Sequence, residues 1–462
     1  MPLVSLDSVK GDPTGNIIHK ARYVAQGCGQ VKGVNYEETF SPTARMESVR
    51  LLIGLAVNSD FMIHQMDVRR AYLHAPIDFD VYVEQPKGYE EGGGGMVWKL
   101  LKSLYGLKQS GRNWHHILSE FLIQSGFNQS KVDTCVFFKR NGDGSTILLV
   151  WVDDIIIVAS SDGLMYAVKS LLMEKFNMKD LGKISFFLGI EFNPRDGGLY
   201  MSQTMYLKNV LQRFGMDSCK PRGTPCEMKL DSHSESTEGV DITKYREMVG
   251  SLVYAMVCTR PDLSFVVTKL SQHLASPTQG DLVTLKHVFQ YIQGTVNQGL
   301  LFTKQNTELS AYCDADWGST CEDRRSITGY CFSLSPNGPL ISWKSKKQKS
   351  VALSTCEAEY VAISVAAQEA AYLSQLYEDM TGIDIKPVVI RNDNQGALSI
   401  IKNPSNHHKT KHIDIRYHYV RENNENGNIA VEYVSSGENI ADIFTKACAK
   451  QKLLSFRPYL FG

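Results

Sequence analysis

The sequence predicts an α+β chain of several domains, on three observations. The apolar, strand-like run from Ile147 to Ser160 is interrupted by two adjacent carboxylates, Asp153 and Asp154. Up to about residue 200, short strand-like runs alternate with two amphipathic helical patterns. A composition change near Thr307 then opens another α/β unit with its own hairpin and long helix. At 462 residues the chain exceeds what one hydrophobic core supports, so two to four domains are expected.

In chain order, Phe61 to Met66 is a short apolar strand ending at Asp67. Arg112 to Gln124 carries helical spacing, and Leu148 to Val152 with Ile155 to Val158 read as a hairpin that places both Asp at its bend. A helix over Gly163 to Phe176 sets Leu164, Val168, Leu171 and Leu172 on one stripe. Ser185 to Phe192 is a strand, and Asp196-Gly197-Gly198 turns it into a second one by its turn chemistry. Helices follow at Tyr206 to Phe214, Ile242 to Val257 and Gln279 to Gly294, with the polar stretch Asp231 to Glu238 between them. The last unit reads as strand Leu309 to Cys313, then strands Gly329 to Leu334 and Leu340 to Lys344 joined across Pro336-Asn337-Gly338, then a long helix from Thr355. Strand Pro387 to Arg391, a basic helical region from His407 to Glu422, strand Ile429 to Val434 and a closing helix from Ile440 complete it. The expected boundaries give segments 1–205, 206–305 (mainly helical) and 306–448, with 449–462 as a C-terminal tail.

Lys plus Arg and Asp plus Glu both number 49, so net charge argues for no particular partner and only local clustering can. The ten Cys form no CxxC pair and no Cys/His finger spacing, and they read as reduced, mostly buried thiols of an intracellular protein. Apolar stretches are broken by Asp well short of the ~20 residues a bilayer-spanning helix needs, which excludes membrane insertion.

Asp153 and Asp154 carry the first functional signal. An unpaired carboxylate in an apolar run is costly, and no Lys or Arg lies between Arg140 and Lys169 to pair with it locally. A divalent metal is the attractive reading; a type I turn with solvated Asp-Asp gives the same pattern. Asp67 adds a third isolated carboxylate at a strand end. Three such groups from two strands are what a pair of Mg²⁺ ions needs, since this hard cation prefers oxygen ligands and bridges phosphates. The strings KARYVAQG (20–27), YEETFSPTARMESVRLLIGLA (36–56), QMDVRRAYLHAPI (65–77), VYVEQPKGY (81–89), KLLKSLYGLKQSGRNW (99–114) and WVDDIIIV (151–158) make the chain similar to the reverse transcriptase of Ty1/copia-type LTR retrotransposons. Similarity runs almost without interruption to the C-terminus.

That resemblance implies a right-hand polymerase of fingers, palm and thumb, followed by a connection and a ribonuclease H-like α/β domain. It implies Asp67, Asp153 and Asp154 as polymerase ligands for Mg²⁺ (or Mn²⁺), two ions per active site, with dNTPs as substrates. Tyr72 corresponds to the aromatic that blocks a ribose 2′-hydroxyl, where a half-buried core Tyr is the bland alternative. Lys20 and Arg22 would reach triphosphate oxygens, although such pairs are commonly solvated surface. Tyr105, Gly106 and Gln109 would line the incoming nucleotide and template base, and Leu188-Gly189 would correspond to the primer-grip strand. Trp151 stands where the family usually has Tyr or Phe, and Gly111 where it usually has Pro; neither removes a ligand. The family usually carries a longer segment before the KAR motif, so the chain is expected to be N-terminally truncated, a fragment or processed portion of a polyprotein.

Three strands, a helix, a strand, helices, a strand and a helix is the ribonuclease H order. There the expected carboxylates are Asp314, favoured by resemblance over Asp316, then Glu359, Asp393 and Asp442. Local physics separates Glu357 from Glu359. Ser354 to Glu357 reads as an S-x-x-E capping box, which assigns Glu357 to the helix start. Glu359 lies roughly 200° further round, on the face that should meet the sheet. His407, His408, His412 and His418 invite a zinc reading, but no Cys supports it. Lys409, Lys411, Arg416 and Arg421, and Trp343 with Lys344, Lys346, Lys347 and Lys349, suit contact with a hybrid backbone; a solvated charged face is the alternative.

The partners implied are an RNA template, a DNA primer, an RNA/DNA hybrid and other Gag or Pol products, with no membrane and with dimerisation left open. The implied location is cytoplasmic, in a virus-like particle, with nuclear entry open. Rival readings are a non-catalytic or domesticated nucleic-acid-binding relic, and a truncated copy with nuclease activity only.

Overall fold

β-branched and aromatic runs with period-2 alternation build the first sheet of this computed structural model, which describes residues 1–11, 17–92, 95–228, 236–319, 323–336, 338–402 and 414–462. Two units emerge, residues 1–45 with 62–183 and residues 46–61 with 184–462. Helix α1 (Met46–Asn58) therefore belongs to the second unit, although its sequence neighbours belong to the first.

In the first unit, β1 (Leu3–Gly11) and β2 (Ile17–Ala25) pair antiparallel, and β4 (Tyr82–Glu84) pairs with β5 (Val97–Lys99). The main sheet runs β10 (Met178–Lys183), β3 (Met62–Val68), β9 (Asp154–Ala159), β8 (Gly144–Trp151), β7 (Val136–Asn141), β6 (Asn128–Gln129), antiparallel throughout. Helices α2 (Ser110–Gln124) and α3 (Asp162–Lys175) cover one face. Trp114, Leu118 and Leu122 of α2 and Met165, Val168 and Leu172 of α3 pack there on Met66, Val68, Leu148, Val150, Ile155 and Ile157. Each such buried side chain contributes about 1.5–3 kcal/mol of transfer free energy. Met165 thus takes a place on the buried α3 stripe, while Leu164 and Leu171 are only partly buried. Strand alternation sends Asp67 and Asp154 to the opposite face. Lys169 is buried as well, its Nζ 2.6 Å from His64 Nδ1 and 2.7 Å from an Asp180 oxygen, which ties α3 to β3 and β10.

The second unit opens on a four-stranded antiparallel sheet, β11 (Phe186–Phe187), β12 (Ile190–Arg195), β13 (Gly198–Ser202) and β14 (Leu300–Phe302). The single strand expected over 185–192 is corrected: Leu188 (φ 50°) and Gly189 (φ 75°) make a tight turn between β11 and β12. Tyr254 donates its hydroxyl to the Leu188 carbonyl, so this turn is covered. Helices α4 (Thr204–Arg213), α5 (Ile242–Cys258) and α7 (Gln279–Gly294) lie near their expected positions, and α6 (Ser264–Ser271) is additional. Between α5 and α6, the buried pair Arg260–Asp262 (2.7 Å) is completed by the Tyr291 hydroxyl and Thr295, which satisfies both charges.

A five-stranded sheet ends the chain. Its order is β17 (Leu340–Lys347), β16 (Ile327–Ser333), β15 (Ser310–Asp316), β18 (Val388–Asn392), β19 (Ile429–Tyr433), antiparallel up to β15 and parallel beyond. Helix α8 (Thr355–Thr381) crosses this sheet, and α9 (Gln395–Lys402), α10 (Asp414–Glu425) and α11 (Asp442–Thr445) follow. Residues 449–462, expected as a tail, instead hold α12 (Lys450–Phe461), which buries Leu453, Phe456, Leu460 and Phe461. Four apolar residues at helical spacing pack rather than trail in solvent. Among the described residues, five cysteines are buried free thiols, and no helix is long and apolar enough to cross a membrane.

Candidate active sites

The first site grows from the β3–β9 register, which sets Asp67 directly opposite Asp154. Trp151 pairs with Asp154, leaving Val152 and Asp153 as the two-residue turn. Val152 adopts φ 56°, a strained conformation for a β-branched residue. Two bonds hold it: the Trp114 indole donates to the Val152 carbonyl (2.6 Å), and the Val68 N–H donates to the Asp153 carbonyl (2.8 Å). Gln65 donates to Asp154 Oδ1 (3.1 Å). Burial raises the Asp154 carboxyl above its usual range, Gln65 opposes that, and the charges of Asp153 and Asp67 add to the rise.

Tyr72 follows on a 3₁₀ turn (Ala71–His74), its ring centroid 4.5 Å from that of Tyr105. The Arg22 guanidinium lies 5.3 Å from the Tyr105 ring centroid. Burial raises both phenols, with Asp153 the next cause, so the tyrosines and the carboxylate share one neighbourhood. Gly106 (φ 93°) makes this approach feasible, because a Cβ there would sit 2.0 Å from the Ala25 carbonyl oxygen. The Lys20 backbone lies in β2, but its side chain lies outside the described residues. Gln109 does not line an open surface: it is fully buried, accepting from Gln30 (2.9 Å) and donating to the Asn35 carbonyl (2.8 Å). Its work here is to hold the loop. Gly111, in the first turn of α2, lies close to Ser41, where an added Cβ would sit 3.1 Å from the Ser41 hydroxyl.

The second site is in the last sheet. Asp314 sits near the end of β15, Glu359 in the second turn of α8, and Asp393 just after β18. Their ligand oxygens all lie within 4.8 Å of one another, and no other such group of acids, His or Cys occurs among the described residues. Asp67, Asp153 and Asp154 are neighbours without forming so tight a group. The α8 start explains the choice between two glutamates. Ser354 accepts from the Glu357 N–H (3.2 Å) and caps the helix, while Glu357 reaches back to the Leu353 N–H (2.8 Å). Glu357 is thereby committed to the helix terminus, and Glu359 turns inward to burial.

Asn392, which sequence reasoning missed, positions Glu359. Fully buried, it donates to Glu359 Oε2 (2.8 Å) and to the Cys313 carbonyl (3.0 Å), linking α8, β18 and β15. An uncharged polar residue ending an apolar strand just before Asp393 was the available signal. Burial pushes Glu359 up to about 9, with the charge of Asp314 as the next cause. Burial pushes Asp314 to about 6, where Lys446 and the Thr445 hydroxyl oppose the rise. A metal ion bound here would have to displace these protons. Mn²⁺ affinity at this group should therefore tighten as pH rises from about 6 to 9, by up to roughly tenfold per unit for each proton released. Calorimetry in buffers of different ionisation enthalpy checks this, and a pH-independent affinity would remove Glu359 as a ligand.

Asp442 is buried but stands apart from this group. Lys446 Nζ lies 2.8 Å from its Oδ1, and Lys452 holds its Oδ2. Two expected surface features are also corrected. Trp343 is core, donating to the Met256 carbonyl (2.9 Å) beneath the Arg50 guanidinium (3.9 Å), because it lies on the inward side of β17. Lys344, Lys346 and Lys349 remain exposed, while Lys347 pairs with Asp323 (2.9 Å). Arg421 is buried against Tyr417. His407, His408, Lys409, Lys411 and His412 lie outside the described residues.

Comparison with known proteins adds an independent line. Residues 7–228 match the family described as reverse transcriptase (RNA-dependent DNA polymerase). The chain is 39% identical over 445 residues to the retrovirus-related Pol polyprotein from transposon TNT 1-94 of Nicotiana tabacum, covering 94% of this chain and 33% of that protein. It is 39% identical over 443 residues to the corresponding polyprotein from transposon RE1 of Arabidopsis thaliana, covering 95% of this chain and 30% of that protein. A Ty5-1 transposon protein of Saccharomyces cerevisiae is 32% identical and matched over its whole length, which takes in 66% of this chain. The chain thus spans about a third of the length of the plant polyproteins. In fold it is similar to the foamy viral protease-reverse transcriptase solved in complex with an RNA/DNA hybrid, at TM-score 0.51 and 11% identity, over 94% of this chain and 50% of that one.

Proposed function

Because the chain belongs to the reverse transcriptase family of Ty1/copia-type retrotransposons, we propose that it extends a DNA primer on an RNA or DNA template and cleaves the RNA strand of the hybrid. The observation that carries the polymerase reading is the β3–β9 register, which brings Asp67 and Asp154 together beside the Asp153 turn. These carboxylates fit hard divalent cations such as Mg²⁺ or Mn²⁺ by their oxygen donors and by the β-register that sets Asp67 opposite Asp154 beside the Asp153 turn. Bound there, such ions supply charge neutralisation and Lewis acidity for phosphoryl transfer. The protein positions. Trp114 and Val68 fix the turn, Tyr105 and Arg22 flank it with an aromatic face and a guanidinium, and the Leu188-Gly189 turn, held by Tyr254, serves as the primer grip.

Tyr72 serves as the sugar gate. Its replacement by Ala should admit ribonucleotides, with the deoxy-to-ribo preference falling roughly tenfold or more. Single-nucleotide incorporation kinetics check this; an unchanged preference returns Tyr72 to the status of a core aromatic.

For the nuclease, Asp314, Glu359 and Asp393 are the group that fits a divalent ion, held in place by Asn392 and the α8 cap. The substrates are an RNA template, a DNA primer and their hybrid, and kinship with Pol polyproteins supports action in a particle with other Gag and Pol products. Primer extension on a homopolymer template with Mg²⁺ tests the whole reading. Incorporation of dNTPs is expected; hybrid cleavage without incorporation would favour a nuclease-only chain.

A further inference from the structure

We infer that Lys446 takes the place of a second metal ion in the nuclease site, so that this site holds one divalent cation rather than two. The inference rests on the reading of Asp314, Glu359 and Asp393 as metal ligands and narrows it. Besides the half-buried Asp316 at the end of β15, four buried or half-buried acids lie in this region, and these four divide into two sets by what neutralises them. The oxygens of Asp314, Glu359 and Asp393 converge within 4.8 Å, and the donors hydrogen-bonded to Asp314 and Glu359 among the described residues are neutral: Asn392, the Thr445 hydroxyl and the Ala315 N–H. Asp442 faces cations on both oxygens, with Lys446 on Oδ1 at 2.8 Å and Lys452 on Oδ2.

Lys446 also reaches the first set. Its Nζ is 3.9 Å from Asp314 Oδ2, so one ammonium group spans Asp314 and Asp442 as a bridging cation would. Backbone geometry fixes it there. Asp442 begins the four-residue helix α11, and the Lys446 N–H donates to the Asp442 carbonyl (3.1 Å), which returns the lysine over that aspartate at the i,i+4 spacing. The region between Asp314 and Asp442 therefore already contains a permanent positive charge. A divalent ion there would have to displace it, whereas one among Asp314, Glu359 and Asp393 would not.

The test counts Mn²⁺ bound to the full chain by calorimetry and by electron paramagnetic resonance of free Mn²⁺. Asp314→Asn should remove about one equivalent, and Lys446→Met should add about one equivalent to the unmodified chain while Lys446→Arg adds none. Loss of two equivalents in Asp314→Asn, or no gain in Lys446→Met that melts as cooperatively as its parent, overturns the inference and leaves the metal reading standing. Loss of none in Asp314→Asn overturns both. Should Lys446→Met fail to fold, the difference between the unmodified chain and Asp314→Asn decides alone.

Discussion

Asp153→Asn should lower primer extension by about 10³-fold or more, roughly 4 kcal/mol of barrier, while cleavage of an RNA/DNA hybrid stays within about twofold. Asn preserves the size of the side chain. The turn is held through the backbone carbonyls of Val152 and Asp153, which the substitution leaves untouched. What disappears is one negative charge next to Tyr72, Tyr105 and the other two carboxylates. The hybrid-cleaving group belongs to the other unit, with a separate sheet and separate acids, so its activity reports on folding in the same sample. Parallel primer-extension and hybrid-cleavage assays read both. Substantial DNA synthesis by the variant would remove Asp153 from the site, and simultaneous loss of both activities would point to a folding defect.

Glu359→Gln should abolish RNA-strand cleavage, again by about 10³-fold, whereas Glu357→Gln should retain it. The two acids are separated by two residues and by their partners. Glu357 bonds the Leu353 N–H at the helix start, a task that Gln performs, so its stability cost should stay under the roughly 1 kcal/mol of a lost cap. Glu359 is buried, bonded by Asn392 and within 4.8 Å of Asp314 and Asp393. Gln there keeps the shape of a carboxyl that burial already holds protonated near neutral pH, but it cannot give up a proton to a metal, so the fold should hold and metal binding should fail. Cleavage kinetics with a labelled hybrid, alongside thermal melting, distinguish the variants. If cleavage dies with Glu357→Gln and survives Glu359→Gln, the assignment is reversed.

Local physics reaches a definite distance into this chain. The β8–β9 hairpin, whose bend falls at Val152-Asp153, one residue earlier than the expected Asp153-Asp154, the α7 span Gln279–Gly294, the Thr355 start of α8 and the inward turn of Glu359 follow from alternation, turn chemistry, capping and helical periodicity, all of which act over a few residues. The sequence by itself therefore determined which acids stand at strand and helix ends, and the succession of strands and helices along the last unit follows from the same segments. Tertiary structure decided the rest, because burial and partnership depend on residues distant in sequence. Helix α1 joins the second unit because Arg50 donates to Ile341, 291 positions away. Gln109 turns inward because Gln30 and Asn35 meet it there, and Trp343 becomes core because Arg50 and Met256 cover it. Asp442 illustrates the division most plainly. Its place at a helix start was legible from neighbouring residues, but its neutralisation by Lys446 and Lys452, which separates it from Asp314, Glu359 and Asp393, is a consequence of how α11 and α12 bring two ammonium groups onto one buried carboxylate.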